Sequence, residues 1–179
     1  KLWGGARLRD LPAKRRAGHE PPANVRIGES WEVADLPEGC SVVDGGPLHD
    51  RSLRSVLDEL GRSVAGERAP IVDGKVRFPI LVKILDAADD LSVQVHPDEA
   101  YARAHPGTFA KDEAWLVVDV EPGARVLHGV KPGVTAAMFR AALEQATAHE
   151  QLRDVRVSVG DVLRIELGTM HAVGKGCVL

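Results

Sequence analysis

Apolar and polar residues alternate over many short stretches of this chain, and a period of two is typical of a β-strand with one buried face. The polar run from Asp86 to Asp90 predicts a hairpin, or near-hairpin, between the stretches on either side of it. The turn Glu121-Pro122-Gly123 predicts in the same way that 113–120 pairs with 124–130. Strands are predicted at 31–35, 41–44, 80–85, 91–96, 113–120 and 124–130, through Val155, Val157 and Val159, and through Val162, Leu163 and Ile165.

Helical spacing of apolar residues, at intervals of three and four, occurs in only a few places. A polar residue that can cap the first turn precedes each of these segments. The predicted helices are 51–60, which Asp50 caps and Gly61 ends, a short helix from Asp98 through Ala104, and 136–148, which Thr135 caps. Many short strands with few helices predict a mainly β fold, a barrel or a sandwich with helical insertions.

The composition is that of one ordinary globular domain. The chain has 179 residues, 44% of them apolar, which is enough for a single core. We therefore expect one domain over 1–179, whose first segment, 1–30, is rich in Gly, Pro and charge and mostly loop. No apolar run is long enough to span a bilayer and no signal peptide is visible, so we expect no membrane partner.

Charge and cysteine content narrow the function further. The net charge of -3 gives no support to nucleic-acid binding. Cys40 and Cys177 lie far apart and form no CxxC pair, so we expect no disulfide and a reducing, cytoplasmic location. We expect the protein to be a monomer or a weak homodimer.

The run Gln94-Val95-His96 carries the most informative chemistry of the chain. Gln94 and His96 are alternate residues of a predicted strand, so their side chains point the same way. Glu113 opens an otherwise apolar strand, where a carboxylate needs a partner, and His171 follows a strand and has glycines nearby that permit a tight turn. An amide, a carboxylate and two imidazoles would form an N/O shell that suits zinc. An ion pair between Lys111 and Glu113 is the alternative explanation of that carboxylate.

Longer motifs surround these residues. Residues 160–171 look like the second cupin motif, in which a glycine and a strand precede Gly-x-x-His. Residues 91–98, which include Gln-Val-His-Pro-Asp, resemble the zinc-binding signature of the type I phosphomannose isomerases (class I mannose-6-phosphate isomerases). The same resemblance extends to Lys111-Asp112-Glu113-Ala114-Trp115, Trp3-Gly4-Gly5, the run from Ile27 to Glu32 and the run from Glu121 to Ala124. It covers the chain from end to end and is closest to the short bacterial form of the family.

The resemblance implies a cupin-type jelly-roll β-barrel with a few helical insertions, and a single cupin-like metal-binding domain. It implies one zinc ion per chain, held by Gln94, His96, Glu113 and His171. The implied reaction interconverts mannose 6-phosphate and fructose 6-phosphate by moving a proton between C1 and C2 through a cis-enediol. Because this ligand set has one strong anion, the zinc would keep net positive charge and act as a Lewis acid.

Four further residues match family positions close to the cavity. The resemblance makes Lys111 and Glu29 candidate catalytic side chains, and Ser92 and Lys83 candidate contacts for the sugar phosphate. Lysine is a suitable point-charge partner for a phosphate or an enediolate. The alternatives are a Lys83 that reaches solvent and a Glu29 that is an ordinary turn residue before a strand.

Two departures from the family pattern leave other functions open. The chain stops at Leu179, whereas the family continues with a catalytic arginine and the closing strands. We therefore expect a C-terminally incomplete barrel and a native protein that continues further, the 179-residue chain alone being less stable and nearly inactive. Glu166 replaces the usual cupin proline. A non-catalytic regulatory cupin that binds sugar phosphate is the main alternative, and Gln94 and Lys111 argue against a metal-dependent oxygenase.

Overall fold

The computed structural model describes residues 2–10 and 24–179. Their contacts divide into two compact units, one over Ala6–Ile84 and one made of the first five residues together with Leu85–Leu179. The loop-rich segment predicted at 1–30 falls partly outside the described residues. Its described part includes a 3₁₀ turn at Arg7–Asp10 and the start of the first strand. One cupin-like domain over 1–179 stays a prediction.

The strands described in the Ala6–Ile84 unit are short. They are β1 (Glu29–Val33), β2 (Asp35–Leu36), β3 (Gly39–Cys40), β4 (Ile71–Val72), β5 (Lys75–Val76) and β6 (Val82–Leu85), which ends at the unit boundary. β1 pairs with β6, whereas β2–β3 and β4–β5 are hairpins. The second hairpin turns at Asp73 and Gly74, whose φ angles of 51° and 75° match the type I′ turn that Asp-Gly favours.

Helix α1 (Leu53–Leu60) begins later than the predicted start at 51, and its cap is Ser52 rather than Asp50. The Ser52 hydroxyl accepts the Ser55 N–H at 3.1 Å. Asp50 cannot cap because it lies in a turn before the helix with a φ of 64°. Gly61 ends the helix as predicted, and a short helix α2 (Arg62–Ala65) follows.

A buried ion pair ties several elements of this unit together. The Asp35 side chain is only 5% exposed and pairs with the guanidinium of Arg54. Arg54 Nε donates to Asp35 Oδ1 at 2.8 Å, and the Phe78 N–H donates to Asp35 Oδ2 at 3.0 Å. Arg54 also donates to the Val76 carbonyl at 2.8 Å. One carboxylate and one guanidinium therefore link β2, α1 and β5.

The Leu85–Leu179 unit is also mostly strand. Its described strands are β7 (Glu113–Leu116), β8 (Asp119–Val120), β9 (Arg125–Val130), β10 (Leu152–Arg156), β11 (Val162–Ile165), β12 (His171–Val173) and β13 (Cys177–Val178). They pair antiparallel in the orders β10-β9-β12, β11-β7 and β13-β8. The described helices are α3 (Glu99–Ala104) and α4 (Ala136–Glu144), capped as predicted by Asp98 and Thr135.

The core of this unit collects buried apolar side chains from its strands and from the residues that flank them. Burial of each large apolar side chain contributes about 1.5–3 kcal/mol. The backbone also packs closely in this core. At Gly174, an added Cβ would lie 2.1 Å from the Arg125 carbonyl oxygen, which is too close for a side chain. The buried cluster contains Leu85, Ala87, Trp115, Val117, Ala124, Val126, Val157, Ile165, Val173, Cys177 and Leu179.

The predicted strand partners are wrong in two places. The stretch 80–85 does not form a hairpin with 91–96, because β6 pairs with β1. The stretch 113–120 is interrupted between β7 and β8, which pair with β11 and β13, while β9 pairs with β10 and β12. Alternation reports a buried face and a turn reports a reversal, but neither specifies which distant strand is the neighbour.

Several predicted elements are shorter in the structure. The segment 91–96 is extended but contributes one isolated bridge, between Gln94 and His171. The segment 41–44 contributes one bridge, from Val42 to Ser52. Helix α4 ends at Glu144, before the predicted 148, because Ala146 turns to a φ of 57° and a 3₁₀ turn follows at Ala148–Gln151.

The mainly β fold with a few helices is confirmed. Over residues 2–10 and 24–179 the strands form small sheets, and none of these closes into a barrel. In the same part of the chain, no helix has both the length and the apolar character needed to cross a membrane.

Candidate functional site

Three predicted metal ligands meet in the Leu85–Leu179 unit. His96 comes from the extended segment, Glu113 begins β7 and His171 begins β12, and one ligand atom of each lies within 4.8 Å of the others. His96 Nε2 is 2.7 Å from Glu113 Oε2, and His171 Nε2 is 3.8 Å from the same oxygen. Neighbouring ligand atoms of a tetrahedral zinc site lie roughly 3.4 Å apart for bonds of about 2.1 Å. The observed separations lie on either side of that value.

Gln94 is held beside His171 by the backbone. The Gln94 N–H donates to the His171 carbonyl at 2.8 Å, and the His171 N–H donates to the Gln94 carbonyl at 2.9 Å. Residues directly opposite each other in an antiparallel pair carry their side chains on one face. The Gly168 N–H donates to the His96 carbonyl at 2.9 Å and extends this pairing along the segment. Gln94 therefore lies on the face where His171 joins the cluster.

The orientation of His171 fits a metal ligand. Its ring is buried, and Nδ1 lies 2.8 Å from the Thr169 carbonyl oxygen. Because a carbonyl can only accept, Nδ1 carries the proton and Nε2 keeps its lone pair. Nε2 is buried and has no hydrogen-bond partner among the described residues. Burial lowers the pKa of His171 despite the Thr169 hydrogen bond, which favours the neutral ring that binds metals.

Glu113 supplies one negative charge. Burial by itself would raise the pKa of this carboxyl, but the neighbouring Trp115 indole, His96 and Lys111 lower it to about 2. The Trp115 N–H lies beside the carboxylate without a well-formed hydrogen bond in the described chain. The carboxylate is therefore ionised at neutral pH. One carboxylate and two imidazoles are a donor set that suits zinc.

Lys111 lies at the edge of the same cluster. Its Nζ is 3.1 Å from His96 Nε2 and 3.2 Å from Glu113 Oε2. The Lys111–Glu113 ion pair, which the sequence left as an alternative to metal ligation, thus exists alongside the converging imidazoles. The side chain is 44% exposed, so it reaches the cluster from solvent.

The other predicted site residues have contacts of their own. Lys83 and Glu29 form a half-buried ion pair, with Nζ 3.4 Å from Oε2, in the Ala6–Ile84 unit. Lys83 thus has a carboxylate partner in addition to any contact with solvent. Ser92 is exposed and lines a cavity of about 260 Å³ that Arg125 and His149 also line. The geometry brings together His96, Glu113, His171 and Lys111, with Gln94 on the same face as His171.

One functional neighbour was not predicted. Thr169 orients His171 through its backbone carbonyl. A carbonyl is common to every residue type, so this role has no side-chain signature. Its position two residues before a candidate ligand, inside a glycine-flanked turn, is the only sequence signal that could have indicated it.

Comparison with known proteins identifies the family of the chain. The family model described as phosphomannose isomerase type I, catalytic domain, matches residues 1–117. The chain belongs to the type I phosphomannose isomerases. The matched part of this phosphomannose isomerase chain contains Gln94, His96, Lys111 and Glu113, whereas His171 lies outside it and joins the cluster through the fold.

Curated relatives extend the similarity to the whole chain. The chain is 35% identical over 179 residues to a mannose-6-phosphate isomerase of Streptococcus mutans, covering 100% of this chain and 52% of the relative. It is 38% identical over 177 residues to mannose-6-phosphate isomerase ManA of Bacillus subtilis, covering 98% of this chain and 52% of ManA. The chain thus spans about half the length of these relatives.

Solved structures agree with the family assignment. The crystal structure of the mannose 6-phosphate isomerase from Bacillus subtilis superposes with a TM-score of 0.81 at 31% identity, covering 99% of this chain and 53% of that one. A putative mannosephosphate isomerase from Archaeoglobus fulgidus superposes with a TM-score of 0.73 at 23% identity, covering 99% of this chain and 55% of that one, and shows a shared fold.

Proposed function

We propose that this phosphomannose isomerase chain acts in a zinc-dependent aldose–ketose isomerase, which interconverts mannose 6-phosphate and fructose 6-phosphate through a cis-enediol. The observation that carries the proposal is the meeting of His96, Glu113 and His171, with the buried Nε2 of His171 lacking a partner in the described chain. Family membership supports the reaction, and the curated relatives are named for it.

The proposed zinc ligands are Gln94, His96, Glu113 and His171. When bound, zinc would act as a Lewis acid that polarises a sugar oxygen. Glu113 supplies the anionic ligand, and the Thr169 carbonyl holds His171 in the tautomer whose Nε2 faces the cluster. The first residues of β7 and β12 and the extended segment 91–96 hold these side chains in place before the metal binds, which reduces the free-energy cost of metal binding.

The remaining predicted residues are proposed to handle charge and protons. An enediolate is an anion, and the Lys111 ammonium beside the cluster is suited to stabilise it. We assign Glu29 the role of an acid or base, and Lys83 and Ser92 the binding of the sugar phosphate. The Lys83–Glu29 ion pair supports a shared role for those two side chains. We also propose a cytoplasmic protein, consistent with the absence of a disulfide at Cys40 and Cys177, and a monomer or weak homodimer.

The test is turnover by the protein expressed from its complete reading frame. Fructose 6-phosphate formation from mannose 6-phosphate is followed in a coupled assay, before and after chelation and zinc replacement. We expect chelation to remove activity, zinc to restore it, and His171→Ala to lower kcat/KM by at least about 100-fold. The matched control is His49→Ala, which removes an exposed imidazole from the Ala6–Ile84 unit and should retain activity.

Other outcomes separate the alternatives. Tight binding of mannose 6-phosphate without turnover would replace the isomerase with a regulatory sugar-phosphate-binding protein. Oxygen consumption with iron, in the absence of isomerisation, would indicate an oxygenase. Full turnover by His171→Ala after exhaustive chelation would refute the metal-dependent mechanism.

A further inference from the structure

Lys111 contacts two of the three side chains that form the candidate metal cluster. Its ammonium contacts His96 Nε2 and Glu113 Oε2, at 3.1 and 3.2 Å. These are two of the three ligand atoms that converge within 4.8 Å. Both separations are close to the roughly 3.4 Å between neighbouring ligands of a tetrahedral zinc site. A zinc ion bonded to His96 Nε2 at about 2.1 Å would therefore lie no more than about 5 Å from the ammonium.

An ammonium and a metal dication repel each other at such a short separation. Like charges repel strongly where water is partly excluded, and the Glu113 and His171 side chains are largely buried. His96 Nε2 has a single lone pair, so it cannot bind a metal while it accepts a hydrogen bond from Lys111. His171 and Glu113 are fixed by burial and by their strands, so the group that yields is the half-exposed lysine.

We propose that Lys111 is a displaceable counter-ion of the site: it bridges His96 and Glu113 in the metal-free protein and is driven off that pair when the metal binds. The inference rests on the proposed metal site. It gives Lys111 two positions, one that holds the ligands together without metal and one that frees the ammonium for the anionic sugar. Lys111 thereby lowers the affinity of the site for the metal. Its ammonium becomes available to the anionic substrate only after the metal is bound.

Zinc affinity tests the proposal directly, by competition with a chromogenic chelator. Lys111→Met keeps the length of the side chain and removes its charge, so we expect zinc to bind about tenfold more tightly than to the wild type. Lys111→Arg keeps the charge and should bind no more tightly than the wild type. The matched control is Lys175→Met, which removes the same charge from an exposed position in the same unit and should leave the affinity unchanged.

A second measurement uses the unmodified protein. Amine acylation read by mass spectrometry should label Lys111 several-fold faster after zinc is added, relative to Lys175 in the same sample. Unchanged or weaker zinc binding by Lys111→Met, or slower labelling of Lys111 with zinc, would overturn the proposal while leaving the ligand set intact. If neither the wild type nor any variant retains zinc, the ligand set itself is wrong and this inference fails with it.

Discussion

At the scale of single residues, the site combines groups whose protonation states are set by their neighbours. Burial lowers the pKa of His171, which favours its neutral form, and its tautomer follows from the Thr169 carbonyl. Glu113 is ionised because Trp115, His96 and Lys111 outweigh the burial that would raise its pKa. A neutral imidazole and an ionised carboxylate are the forms that bind zinc. The metal-free chain therefore already holds these two ligands in the required states.

The low pKa of Glu113 predicts a pH-dependent contribution to the stability of metal-free protein. The pKa falls from 4.5 to about 2 on folding, so the ionised carboxylate stabilises the folded state above the unfolded pKa, and the effect is lost as pH falls through about 2. At pH 7, the free energy of unfolding of the wild type should exceed that of Glu113→Gln by at most about 3 kcal/mol. Urea unfolding of both proteins from about pH 6 down to about pH 3 should show the difference shrinking. A constant difference would mean that Glu113 is stabilising through packing rather than charge.

At the scale of elements, local signals determined the caps of α3 and α4 but not the cap of α1, and they determined strand partners poorly. Asp98 and Thr135 cap α3 and α4 because each side chain accepts an N–H within its own first turn, at 2.7 and 3.2 Å. A cap of this kind can be read from neighbouring residues. The Asp35–Arg54 pair cannot be read from neighbouring residues, because it joins β2 to α1 and to the end of a distant hairpin.

That buried pair predicts a large effect in the Ala6–Ile84 unit. Asp35→Ala leaves the Arg54 guanidinium without its carboxylate and should lower the free energy of unfolding by about 3–5 kcal/mol. Asp58→Ala is the control, because Asp58 is 40% exposed and its ion pair with Arg54 is longer, at 3.8 Å, so the loss should stay below about 1 kcal/mol. Chemical denaturation of both variants measures the comparison. Equal losses would show that Asp35 contributes no more than a surface charge.

At the scale of the whole molecule, the candidate zinc ligands all belong to one of the two compact units. Gln94, His96, Glu113 and His171 lie in Leu85–Leu179, and the Lys83–Glu29 pair lies in Ala6–Ile84. The chain spans about half the length of the relatives it matches, and its described strands form open sheets. The effect of metal on Leu85–Leu179 can therefore be compared with its effect on Ala6–Ile84.

Zinc should protect the two units unequally. Hydrogen exchange followed by mass spectrometry should slow at β7, β12 and the segment 91–96 when zinc is added, because the ion links these backbone segments through their side chains. Helix α1 should change little. His171→Ala should abolish the difference. Protection spread evenly over both units would contradict a site confined to Leu85–Leu179.

The sequence by itself determined the mainly β character, several helix caps, the family resemblance and the residue types of the metal cluster. Each of these depends on neighbouring residues or on short motifs, such as the spacing of Gln94 and His96 on one extended segment. Alternation and capping are local, so they can be read before any strand has found its partner.

The tertiary structure alone decided how those pieces meet. It paired β7 with β11 and β9 with β12, placed His171 opposite Gln94, and brought Lys111 and Glu113 onto His96. It also showed that Glu29 and Lys83 are paired. These contacts join residues far apart in the chain, and the local period of a strand has no information about which distant strand will satisfy its hydrogen bonds.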